Sequence, residues 1–110
     1  MFIYIISSKK EGMNMKYITV VGCSNFFGTD VFKVGQIVYG VKETDNSFDS
    51  EAIKVVSEAD VPYGYIANSV HTVAKGCMSA GRIYDTFEEK IKLRILFIIR
   101  GSVIAEIVQN

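Results

Sequence analysis

The sequence predicts a mainly β protein of one domain, with one helix and a small curled sheet or barrel. Three observations carry that prediction. The chain has 110 residues, a usual size for one domain and too short for two ordinary ones. Hydrophobic residues make up 49% of it, enough to fill a core and to argue against disorder. Short runs of β-branched and aromatic residues recur along the chain, and only one stretch follows helical spacing.

The elements follow in order. Residues 1–14 read as an N-terminal extension, either an extra edge strand or a stretch ahead of the true start, because Met13 and Met15 precede the first clear strand. The barrel domain then occupies 15–110. Tyr17–Gly22 (YITVVG) is β-branched and ends in glycine, and Gln36–Val41 sets Ile37, Tyr39 and Val41 on one face. Ala52–Val56 is a further short strand. Tyr63–Ile66 follows Pro62, the only proline, which suits a strand start or edge. Val70, Val73, Ala74, Cys77 and Met78 fall at i, i+3, i+4, i+7, i+8 and predict a helix. Asn68 or Ser69 would cap it, Gly81 would end it, and Gly76 would mark close packing against a strand. Ile83–Phe87 and Lys90–Ile99 read as strands. Ile91–Ile95 alternates core with solvent, and Phe97–Ile99 reads as covered on both faces. Arg100-Gly101 turns the chain into Ser102–Val108, a C-terminal hairpin.

The totals exclude several classes. Lys+Arg and Asp+Glu are both 12, so the net charge is zero and no overall basic excess points to nucleic acid; a local basic groove stays open. Cys23 and Cys77 with the single His71 are too few for a disulfide scaffold or a structural zinc site. They read as free thiols filling apolar space in a reducing, cytoplasmic setting. No stretch approaches the roughly 20 apolar residues that span a bilayer, and Phe2–Ile6 is too short for a signal peptide. No phosphate loop, dinucleotide fingerprint, metalloprotease or serine-hydrolase motif occurs. Gly22-Cys23-Ser24 lacks a base, and adjacent strand residues Glu88 and Glu89 would point to opposite faces. A catalytic reading is disfavoured, and no metal or cofactor is expected.

The loop DNSFDSEAIKV, Asp45–Val55, carries the most information. Asp45, Asn46, Ser47, Asp49 and Ser50 can all fold side-chain oxygens onto backbone amides, making a rigid entry to a strand. A well-capped turn accounts for that much. It does not account for Phe48, a large ring in a turn that must either plug the core or face a ligand.

Together with Val20–Gly22, Phe26–Gly28 and Gly64–Val70, this loop resembles the HIRAN domain from about Tyr17 to Ala80. Asn46, Phe48, Asp49, Ala52, Ile53 and Val55 match the family's central motif, and Gly64, Tyr65 and Ile66 its next one. The resemblance implies a modified OB-like β-barrel with one or two helices. It implies a module that holds the 3′ end of single-stranded DNA, found beside DNA translocases and nucleases in repair and replication processing. Carried over, Asp49 would accept from the terminal hydroxyl, Phe48 would lie beside the sugar or base, Asn46 would orient the loop, and Tyr65 would line the pocket. Asp45, Asn25 and Lys42 complete the expected ligand-binding set, and a helicase or nuclease is the expected protein partner. The chain departs from the family where an arginine and a tyrosine are expected, at Ser24 and Asn25. Ala67 replaces a proline and Asn68 a lysine. Lys42, Lys54 and Arg82 would substitute only if the fold gathers them at one groove. The alternative is an assembly module using Phe26, Phe27 and the hairpin; there, the bland reading puts one ring in the core and the other over a barrel end.

Overall fold

Strands form where β-branched residues alternate or cluster, and a computed structural model describing residues 15–108 closes six of them into a barrel. They are β1 (Tyr17–Val21), β2 (Ile37–Lys42), β3 (Ile53–Val56), β4 (Pro62–Ile66), β5 (Lys90–Ile99) and β6 (Ser102–Val108). Round the barrel the order is β1-β4-β3-β2-β5-β6, with β6 returning to β1 and every pair antiparallel. The single domain of mainly β architecture is as predicted; the extension at 1–14 lies outside the described residues.

The core is aliphatic. Ile18, Val20, Val38, Ile53, Val55, Leu93, Ile95 and Val103 are wholly buried. Each such side chain contributes about 1.5–3 kcal/mol relative to exposure. One short helix, α1 (Ala80–Ile83), adds Ala80 and Ile83 to the same cluster, and Phe32 joins them. Pro62 opens β4, and Arg100-Gly101 turns β5 into β6 as expected.

Several details differ from the sequence reading. The stretch 70–78 is a run of turns, and Val70 is 87% exposed. Two of its amides go to β1: Met78 N donates to Tyr17 O at 2.7 Å and Ala74 N to Thr19 Oγ1 at 3.0 Å. Gly76 takes φ +89 with nothing near it, which breaks the helical run and is not close packing. The segment is a strap along β1, tied to the strand by those two bonds and shaped between them by its own turns, with Val73 N on Ser69 O at 3.0 Å and Cys77 N on Ala74 O at 2.9 Å. Ile83–Phe87 is not a strand: α1, capped by Ser79, ends at Ile83, a 3-10 turn, Tyr84–Thr86, follows, and Phe87 alone is extended. Ile83 is buried in the core, and Phe87, extended beyond the turn, packs against it. Gly81 sits inside α1 and does not end a helix.

In β2 the inward face is Val38 and Gly40; Ile37, Tyr39 and Val41 share the outer face. In β5 a bulge between Ile95 and Phe97 leaves Leu96 as the extra residue. Beyond it Ile98 and Ile99 are 41% and 51% exposed, so that end is not covered on both faces.

Candidate functional site

The β2–β3 loop is organised by one amide. Asn46 Oδ1 accepts from the backbone N–H of Phe48 and of Asp49, each at 2.8 Å. Asn46 Nδ2 donates back to Glu43 Oε1 at 2.8 Å. These bonds fix the turn and leave the Phe48 ring 97% exposed, so it does not plug the core. Asp49 is half-buried: Oδ1 accepts from Glu51 N at 2.9 Å, and Oδ2 from Asn68 Nδ2 at 3.2 Å. Asn68 Oδ1 in turn accepts from Gly81 N at 2.8 Å, so α1 steadies the carboxylate through one side chain. A carboxylate oxygen offers more than one acceptor direction, so Asp49 keeps capacity for a further donor.

Tyr65, on β4, donates its hydroxyl to Glu43 Oε1 at 2.7 Å, and its ring lies 6.2 Å from that of Phe26 in a tilted pair. Burial, then that hydrogen bond and the charges of Glu43 and Asp45, push the Tyr65 hydroxyl up to about 12. Lys54 pairs with Glu43 Oε2 at 2.8 Å. The Lys54 ammonium, with help from Asn46 and Tyr65 and against burial, holds the Glu43 carboxyl down at about 2.

Asn46, Phe48, Asp49 and Tyr65 come together along an open groove of about 400 Å³, with Val21 and Asn68 on its other margins. The remaining expected residues do not line it. Asp45 is exposed on the loop, and Asn25 is exposed in a 3-10 turn after β1. Lys42 donates to Phe87 O at 2.6 Å and sits 4.3 Å from the Tyr84 ring centroid, a carbonyl and aromatic cage away from the loop. No lysine or arginine lines the groove. Sequence reasoning missed Glu43 and gave Asn68 only a capping or substitutive part. Both earn their place through partners distant in sequence, which a contiguous motif does not display. Phe27 is 58% exposed, edge-on to Tyr63 at 6.3 Å, and Phe26 is half-buried, so neither ring sits in the core as the bland reading expected.

Among the described residues no group of His, Cys, Asp and Glu is arranged to hold a metal, and no helix is long and apolar enough to cross a membrane.

The crystal structure of the HIRAN domain of human HLTF matches with a TM-score of 0.64 at 17% identity, covering 86% of this chain and 73% of that one. A crystal structure of a Lactobacillus plantarum protein matches with a TM-score of 0.57 at 16% identity, covering 88% and 98%. At such identities these likenesses establish the fold. No curated protein matches the sequence. The sequence model of the HIRAN domain matches residues 13–95, most of the barrel including the whole Asp49 loop and β4. The chain therefore belongs to the HIRAN domain family.

Proposed function

We propose that this domain is a non-catalytic DNA-binding module that holds single-stranded DNA by its free 3′ end, in repair or replication processing beside a helicase or nuclease. One observation carries the reading: the Phe48 ring stands in solvent on a loop held by Asn46, next to a half-buried carboxylate with acceptor capacity to spare. A base stacks on such a ring without regard to sequence. A carboxylate accepts from a hydroxyl and repels a phosphate, which separates a 3′ end from continuing backbone. The cation-free lining favours a terminal nucleoside over a run of phosphates.

The test is a fluorescence-anisotropy titration of a short single strand at low salt, ending in a free 3′-hydroxyl or a 3′-phosphate. Wild type is expected to bind the hydroxyl-ended strand more tightly, and Asp49→Ala to lose the difference. Equal binding of both strands by wild type would sink the end-recognition reading.

A second reading, an interaction module on the same barrel, is favoured by an apolar hollow of about 530 Å³ between Val34, Cys77, Leu96, Ile99 and Ile104. No binding to either strand, together with a dimer mass in light scattering, would put that reading first.

A further inference from the structure

Lys54 and Tyr65 are cross-strand partners on β3 and β4, so their side chains stand on the same outward face of the barrel. Tyr65 lines the groove, and Lys54 stands beside it on the neighbouring strand, outside the lining; an ammonium and a phenol hydroxyl so placed are the donors a phosphate would seek. Both are already spent. Glu43, the residue after β2, takes the Tyr65 hydroxyl on Oε1 at 2.7 Å and the Lys54 ammonium on Oε2 at 2.8 Å. The same Oε1 accepts from Asn46 Nδ2 at 2.8 Å, so the carboxylate also anchors the amide that shapes the Phe48-Asp49 turn.

We propose that Glu43 is the specificity-determining residue of the groove: it withholds Lys54 and Tyr65 from phosphate while positioning the loop for a hydroxyl. The inference rests on the DNA-end reading above. The carboxylate is 16% exposed and stays ionised well below neutral pH, so its charge is permanent under binding conditions. A fixed negative charge beside the groove adds repulsion against a phosphorylated end. Selectivity here comes as much from donors made unusable as from contacts made.

Glu43→Gln keeps the size of the side chain and one acceptor oxygen but releases Lys54. Anisotropy titrations across a salt series, with both strands, read the result. The phosphate-ended strand is expected to gain about tenfold relative to the hydroxyl-ended one, the scale of one charge-assisted hydrogen bond. The slope of log affinity on log salt should steepen by about 0.7, one single-strand phosphate contact. Glu43→Gln/Lys54→Met should return both quantities to the wild-type values. A purely structural role would weaken both strands alike, leaving the ratio and the slope where they were, and that result overturns the proposal. So does a gain that survives in the double variant. If Glu43→Gln does not fold, Lys54→Met alone decides: its salt slope should equal that of wild type, and a loss of about 0.7 would mean Lys54 already grips phosphate. Wild type lacking any end preference fails the end reading and this inference with it. A preference of unchanged size in Glu43→Gln fails this inference alone.

Discussion

Phe48 separates binding from stability at the scale of one residue. Its ring buries almost nothing, so Phe48→Ala should shift folding stability by no more than about 0.5 kcal/mol in urea denaturation. If the ring stacks on a base, the same change should cost about 1–3 kcal/mol of strand affinity, on the order of 5- to 150-fold. A variant that binds as wild type would remove Phe48 from the site. The loop was legible in the sequence because Asn46, Phe48 and Asp49 are contiguous and their turn chemistry is local. Glu43 and Asn68 were not, because Tyr65 lies 22 residues from Glu43 and Asp49 lies 19 from Asn68. Lys42 shows the converse: its charge was visible, but the Phe87 carbonyl that occupies it is 45 residues away.

Elements were legible where neighbours agree with local pattern. Alternation in Ile91–Ile95 and the glycine turn before Ser102 gave β5 and β6 correctly, since those strands pair with each other across a short turn. The strap failed because its apolar stripe is present in the sequence but Ala74 and Met78 give their amides to β1, a partner no periodicity reveals. The face of β2 was hidden for a related reason: Gly40 leaves the space that Ile53 and Ile91 side chains fill, so the inward position looks empty in sequence. At β4 a glycine matters in another way. A Cβ on Gly64 would lie 2.7 Å from the backbone oxygen of Val21, which cannot swing aside. Gly64→Ala should therefore lower stability by about 1–3 kcal/mol. Gly81→Ala is the control, because its close neighbour is the flexible end of Glu51. Equal urea midpoints for the two variants would show that the β1–β4 approach is not tight.

For the whole molecule, a neutral chain with paired carboxylates ties stability to acid. The Glu43 carboxyl ionises at about 2 in the folded chain against an ordinary 4.5, so its contribution is complete above 4.5 and is lost as pH falls through about 2. Urea midpoints of wild type and Glu43→Gln, followed from about pH 6 to about pH 2, should therefore converge toward the acid end. A gap that stays constant over that range would show that Glu43 acts without its charge. Closure itself is uneven. Along the β1–β4 seam only Val20 with Ile66 and Val21 with Tyr65 are in register, whereas β5 and β6 are matched along nearly their whole length. Val21 and Tyr65 also line the groove. The groove thus straddles the part of the wall with the fewest bonds to break. A nucleotide lodged there would act as a rivet, slowing the excursions in which the wall parts. The lifetime of the complex and the rhythm of the barrel's own breathing would then be set by the same two residues.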